Sequence, residues 1–210
     1  MSASRGLLSV AALLALTMYA SVVSDAARRQ DPDPADRSLA GQLLVATADL
    51  QDPNFRETVV YLVHHDRAGA MGLVINRVLG TGPLDEMLEG LGLPPDGRAE
   101  RELLVHYGGP VAPTRAFMLH SPEYRAADTV VLSDLAALTL SPGILQDIAA
   151  GKGPRRSLFA LGYAGWGPEQ LEGELAAGSW VVVEPDADLL FDEQAETKWQ
   201  RAFDRRGIDL

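Results

Sequence analysis

The chain has 210 residues, of which 47% are hydrophobic and 22% are charged, a balance typical of a soluble globular protein with one substantial core. Its formal net charge of -11 repels nucleic-acid backbones unless the basic residues are strongly clustered. The absence of cysteine excludes disulfides, thiol nucleophiles, zinc–thiolate sites and iron–sulfur clusters.

Two short basic groups stand out from this acidic background. They consist of Lys152, Arg155 and Arg156, and of Arg201, Arg205 and Arg206. Because acids are interleaved with both groups, we interpret them as solvated helix and loop charges, and direct nucleic-acid binding is disfavoured by charge.

The first residues have the layout of a secretory signal peptide. Arg5 is followed by an apolar run over residues 6–23, and small residues precede a possible cut before Ala27. The run also approaches the length of an uncleaved membrane helix, the only membrane contact we expect, although Arg28 and Arg29 disfavour export of the C-terminal part of the chain. We therefore expect a periplasmic or exported protein, or one anchored in the inner membrane. The alternative is a cytoplasmic protein with an N-terminal helix or a start codon placed too far upstream.

These signals divide the chain into three parts. Residues 1–26 are predicted to be a signal peptide or membrane anchor, and residues 27–38, with two Asp-Pro pairs, a linker. Residues 39–210 are predicted to form one folded domain.

Hydrophobic periodicity predicts alternating strands and helices along the domain. The predicted strands lie at 43–48, 58–65, 70–76, 103–107, 116–121, 129–133, 157–166 and 179–185. The second and third form a hairpin, and the fourth ends in a Gly-Gly-Pro turn at 108–110. Helices are predicted at 84–91, 142–150, 167–176 and 193–206, the second capped by Ser141. Because this order lacks strict βαβ alternation, we predict an α+β fold, a compact single domain with a largely antiparallel or mixed sheet and flanking helices.

The stretch GYAGWGPEQLEGEL at residues 162–175 combines glycines and two large rings ahead of an acidic helix. We interpret it as a strand-to-helix turn, in which Tyr163 and Trp166 either shape a binding wall or pack into the core. Glu169 is expected to cap the helix start, which argues against an anion site there. The other acids of the helix are expected on a solvated face, and no nucleotide-binding glycine spacing occurs.

The four histidines all fall near the ends of predicted strands. They are His64, His65, His106 and His120. His64 and Asp66 are spaced to share one face of a strand. An enzyme would need the histidines to converge as a base or a metal site, but no local motif joins them. We therefore interpret them as ordinary hydrogen-bonded side chains and assign no catalytic residue, metal or cofactor.

An asparagine–arginine pair closes the predicted hairpin. Asn76 is suited to satisfying turn backbone. Arg77 can bind a carboxylate or phosphate, but we expect it to pair with Asp85 or Glu86.

In this order, several segments resemble the YqgE/AlgH family. They are residues 41–77, the GGPV and AFMLHS runs, residues 140–154 and residues 161–175. The resemblance covers about residues 39–209 and implies a compact mixed α/β fold, an unestablished biochemical activity and no agreed catalytic residues. The family's customary label is transcriptional regulator, from a link with alginate production.

The matching positions are spread along the domain. They are Asp52, Phe55, His65, Asp66, Gly69, Gly72, Asn76, Arg77, Gly108, Gly109, Pro110, Gly162, Tyr163, Gly165, Trp166, Gln170, Leu171 and Glu172. The chain departs from the family pattern at Thr47-Ala48, Val78 and Glu169. It also has the N-terminal apolar segment, which typical members lack and which puts a nucleoid role in doubt.

Without a catalytic constellation, we expect a non-enzymatic binding or regulatory domain with a protein or small-ligand partner. The alternatives are an enzyme that uses the histidines with Asn76 and Arg77, and a direct regulator of DNA. The candidate binding surface consists of Asn76, Arg77, Gly108, Gly109, Tyr163, Gly165, Trp166 and Gln170.

Overall fold

The computed structural model describes residues 38–95 and 101–206, and the predicted signal peptide or anchor and all of the linker except Ser38 lie outside this part. The described strands are β1 (Leu43–Ala46), β2 (Val59–Asp66), β3 (Gly69–Val74), β4 (Val78–Pro83), β5 (Glu102–Tyr107), β6 (Val111–His120), β7 (Val130–Val131), β8 (Ala137–Thr139), β9 (Ser157–Trp166) and β10 (Trp180–Val183). The described helices are α1 (Leu84–Gly90), α2 (Gly143–Ala149), α3 (Gln170–Ala176), α4 (Ala187–Phe191) and α5 (Ala195–Phe203).

One sheet with antiparallel neighbours carries the fold, in the order β10-β1-β2-β3-β9-β6-β8-β7. β4 pairs with β5, and β5 lies parallel to the first half of β9. The predicted α+β fold with a largely antiparallel sheet is confirmed, and so is the hairpin of β2 and β3.

The central strands are buried on both faces because their apolar residues do not alternate with polar ones. Leu43 and Tyr61 contribute to one core cluster, whereas Leu44 and Val60 contribute to the cluster on the opposite face. Helices α4 and α5 pack on the first cluster and α3, through Leu171, on the second.

A third core cluster lies under α1 and α2. Leu84 and Leu88 of α1 pack there with Ile144 of α2 against Met118 and Phe159 of the sheet. This cluster fixes the position of α2 relative to β6, and a cleft opens between these two elements.

Two strands and one helix were not predicted. β4 contains two glycines and a proline and is largely exposed, so it lacks the apolar pattern of a strand. β8 has 3 residues and α4 has 5, too short to show periodicity. Helix α2 begins one residue later than predicted, although the Ser141 hydroxyl does accept the N–H of Gly143 at 3.3 Å.

Three glycines allow two backbones to touch where β5 ends beside β9. The N–H of Gly108 donates to Leu161, and its carbonyl accepts the N–H of Val74, at 2.8 Å each. Gly109 and Gly162 have φ values of +149° and +74°, in the region that favours glycine. A Cβ at Gly162 would overlap the carbonyl oxygen of Gly109, so this crossing requires glycine.

We predict that Gly162→Ala lowers the free energy of unfolding by more than about 2 kcal/mol, because the methyl group meets backbone and φ is positive. The matched control is Gly173→Ala, where a Cβ meets nothing within 4 Å inside α3. That substitution should stabilise by up to about 1 kcal/mol. Urea unfolding of both variants checks this, and equal stability of the two would contradict the steric role of Gly162.

Candidate functional site

Arg77 holds the loop at residues 52–58 in place. Its guanidinium donates to three backbone carbonyls of this loop, at 2.8 Å to Pro53, 2.9 Å to Asn54 and 2.8 Å to Arg56. The expected pairing of Arg77 with Asp85 or Glu86 is wrong, because its guanidinium N–H groups donate to these backbone carbonyls instead.

Asn76 supports the same loop from the other side. Its Oδ1 accepts the N–H of Val59 at 2.8 Å, and its Nδ2 donates to the carbonyl of Glu57 at 2.9 Å. Glu57 itself has a φ of 56°, a strained value for a residue with a Cβ. Asn76 and Arg77 are thus committed to local structure, as the turn interpretation of Asn76 predicted.

Tyr163 and Trp166 do not form one wall. They lie an odd number of residues apart on β9 and therefore point to opposite faces of the sheet. Tyr163 is 7% exposed and packs edge-on against Phe117, whereas Trp166 is 4% exposed in the other core cluster. The core alternative is correct for both rings, and Gly165 leaves room for the Tyr163 ring.

A carboxylate of α3 organises the tryptophan side of the sheet. Trp166 and Trp180 both donate their indole N–H to Oε2 of Glu174, at 2.9 and 2.8 Å. Gln170 bridges to the other oxygen of Glu174 and accepts the N–H of Gly167. Gln170 is therefore part of a structural network.

The expected solvated acidic face of α3 is wrong for Glu174, whose carboxylate binds both indoles. It is correct for Glu172, whose side chain is 54% exposed and whose Oε1 accepts a hydrogen bond from Nε2 of His65 at 2.8 Å. A hydrogen bond from backbone N–H is the main cause that lowers the pKa of Glu172, and the hydrogen bond with His65 lowers it further. Glu169 was expected to cap α3, but its side chain makes no cap hydrogen bond and its φ is 62°.

The four histidines do not come together, and each contacts a different partner. His64 contacts Asp66 at 3.1 Å, which confirms their shared face, and His65 contacts Glu172. His120 contacts the Thr139 hydroxyl at 2.9 Å. Within residues 38–95 and 101–206, no three His, Asp or Glu side chains come together as a metal site would require.

His106 is a buried histidine without a full set of partners. It is 4% exposed, its Nδ1 lies 3.3 Å from the carbonyl oxygen of Phe159, and its Nε2 has no hydrogen-bond partner among the described residues. Burial, reinforced by the positive charge of Lys198, lowers the pKa of His106 to about 4.

Lys198 belongs to α5 and is itself fully buried. Its Nζ donates to the carbonyl of Asp192 at 3.1 Å and lies 3.7 Å from Oδ1 of that residue. Burial outweighs this carboxylate and lowers the pKa of Lys198 to about 8. At neutral pH, His106 is therefore uncharged and Lys198 is mostly protonated beside Asp192.

A cleft of about 260 Å³ opens between β6 and α2, and none of the predicted binding residues lines it. We call it the β6–α2 cleft. It forms because the β6–β8 ladder stops at Met118 and Thr139, after which the chain turns into α2. Its walls are mostly apolar and include Ala116, Phe117, Met118, Ile144, Leu145 and Phe159.

The polar part of the β6–α2 cleft consists of Thr114, Arg115, Thr139 and Ser141. The Thr139 hydroxyl already contacts His120 and Thr129. Arg115 is half-buried, with its guanidinium carbon 5.6 Å from the centroid of the Phe117 ring. In the part of the chain that the structure describes, no carboxylate lies within ion-pair distance of Arg115.

The cleft was missed because it depends on where two strands separate. Thr114 and Arg115 belong to a bulge in β6, where the register with β9 shifts between Val111 and Ala116. Ala112 in this bulge has a φ of 47°. The Pro113 that precedes these residues is the one local signal of an irregular strand.

The two basic groups are largely neutralised by acids. Arg155 lies 3.4 Å from Glu123, and Arg156 lies 2.7 Å from Asp188. In the C-terminal group, Arg201 pairs with Asp192, Arg205 pairs with Asp186, and Arg206 stacks on Phe203. None of the described helices is long and apolar enough to cross a membrane.

Comparison with known sequences finds a family that covers most of the chain. The model of the AlgH-like family (DUF179) matches residues 43–210. A UPF0301 protein of Methylococcus capsulatus, MCA0413 1, is 40% identical over 171 residues, 81% of this chain and 93% of that protein. A UPF0301 protein of Caulobacter vibrioides is 44% identical over 172 residues, 81% of this chain and 88% of that protein. These names state no activity.

Two solved structures share the fold. The solution structure of the AlgH protein from Pseudomonas aeruginosa superposes with a TM-score of 0.70 at 40% identity, over 86% of this chain and 94% of that one. Protein DIP2367 from Corynebacterium diphtheriae gives a TM-score of 0.64 at 15% identity, over 86% and 91% of the two chains. The second likeness concerns the fold alone.

We predict that acid destabilises the protein partly through His106. In the unfolded chain, His106 is protonated below about pH 6.5, whereas in the folded chain it is protonated only near pH 4. The free energy of unfolding therefore decreases as the pH falls from about 6.5 to about 4. Between about pH 7.5 and pH 5, the loss from this group is about 2 kcal/mol. His106→Asn should lose that much less stability over the same interval in urea unfolding, and an unchanged pH dependence would contradict the buried neutral ring.

Proposed function

The chain belongs to the AlgH-like family, and on that premise we propose that it is a non-enzymatic binding domain whose site is the β6–α2 cleft. The observation that carries this proposal is the cleft itself, an apolar cavity at whose polar mouth Arg115 has no carboxylate partner among the described residues. Concave, mostly apolar sites with few polar groups are typical of ligand binding.

The arrangement of the histidines favours binding over catalysis. A general base must lie within hydrogen-bond reach of the proton that it removes. His64, His65 and His106 line no part of the cleft, and His120 reaches it only through the hydroxyl of Thr139. Asn76 and Arg77, the other members of the enzyme alternative, hold the 52–58 loop instead.

The charge distribution favours a small-ligand or protein partner over nucleic acid. The family's label of transcriptional regulator requires either direct DNA contact or an indirect route through a partner. Direct contact needs a stripe of unpaired basic residues, whereas the two basic groups here are mostly paired with acids. A regulatory role would therefore act through a bound ligand or protein.

We predict that the full chain binds small apolar probes in the cleft without converting them. Benzoate, indole and cyclohexanol should shift the backbone amide NMR signals of β6 and α2, since the walls are mostly apolar and the mouth of the cleft opens to solvent. Ala116→Phe, which fills the cleft, should abolish these shifts.

The matched control is Ala127→Phe, which adds the same group at an exposed position outside the cleft. It should leave the shifts unchanged. Shifts that map onto the histidines, or chemical turnover of a probe, would count against a binding domain centred on this cleft.

We also propose that residues 1–26 direct export or anchoring, as their signal-peptide pattern suggests. The mature protein should then appear in a periplasmic or membrane fraction. If the segment is cleaved, its mass should correspond to a chain that begins at Ala27. Intact mass and fractionation of the native protein check this, and an uncleaved chain in the cytoplasm would contradict it.

A further inference from the structure

We infer that the β6–α2 cleft takes an amphipathic carboxylate, an apolar body with a single negative group held by Arg115. This inference rests on the proposed binding function and specifies its ligand. It follows from the size of the cleft, the chemistry of its walls and the charge at its mouth.

The size of the cleft limits the body of the ligand. A volume of about 260 Å³ corresponds to about nine water-sized groups, below the range of most drug-sized sites. A short aliphatic chain or one ring therefore fits inside the cleft.

The walls select an apolar body. Phe117, Met118 and Leu145 are each at most 3% exposed and supply no hydrogen-bonding side chain. A polar ligand atom placed against them would lose its water without gaining a partner, which is costly.

The mouth selects one negative charge. Arg115 is the charged residue among those that line the cleft, and its described environment offers a ring face and no carboxylate. A planar guanidinium binds a carboxylate through two parallel hydrogen bonds. One cation in a chain of net charge -11 suits a monoanion better than a phosphate dianion.

Two hydroxyl groups line the cleft together with Arg115 and can add to the recognition of an anion. Thr114 and Ser141 are both exposed at the mouth. The Ser141 oxygen accepts the N–H of Gly143, so its own hydrogen can be donated to an anion. The ligand would thus present its carboxylate at the mouth and its apolar body to the interior.

Titration of the full chain with octanoate, octanamide and octylamine tests the inference, because the three share one apolar body. Octanoate should bind about 10- to 100-fold more tightly than octanamide, as expected for a charge-assisted pair of hydrogen bonds. Octylamine should bind more weakly than octanamide. Arg115→Met should reduce octanoate affinity to that of octanamide, while Arg125→Met, an exposed arginine outside the cleft, should leave it unchanged.

Three results would overturn the inference. Equal binding of octanoate and octanamide in the cleft would remove the role of charge while leaving the proposed binding function intact. Tighter binding of octyl phosphate than of octanoate would show that a different anion is selected. If none of the probes shifts the amide signals of β6 and α2, the ligand class and the binding function both fail.

Discussion

Backbone contact between Gly109 and Gly162 is the constraint on which the rest of the structure depends. At this point β9 exchanges β5 for β3 as its neighbour, so one strand belongs to both parts of the sheet. No side chain fits between the two backbones, and the exchange is possible only because both positions are glycine. The glycines that suggested a binding surface therefore serve the architecture of the sheet.

The placement of the aromatic residues follows from this crossing. With Gly162 fixed, strand alternation sends Tyr163 to one core cluster and Trp166 to the other. Trp166 then meets Trp180 and the carboxylate of Glu174, while Phe55 stacks on it from the 52–58 loop. Buried indole N–H groups need acceptors, and Glu174 supplies one to both rings.

How much the sequence predicts depends on whether the signal is local. The apolar runs of β2 and β9 and the turn between β2 and β3 are local, and these elements were predicted correctly. The partner of Arg77 is not local, because carbonyls of a loop about twenty residues earlier compete with the nearby acids. The sequence signal for the β6–α2 cleft is not local either, because the cleft exists only where β8 separates from β6. Periodicity within one segment holds no information about that separation.

Residues at the sheet and residues at the β6–α2 cleft differ in how well they tolerate substitution. Arg77 and Glu174 each bind several partners that would otherwise be left unsatisfied, so replacing them disturbs whole loops. Thr114 and Arg115 lie in a bulge outside the regular β6–β9 register and hold no described loop in place. Their side chains can therefore be replaced at little cost to folding, which is the relationship expected between a rigid sheet and the binding site that we propose at its irregular edge.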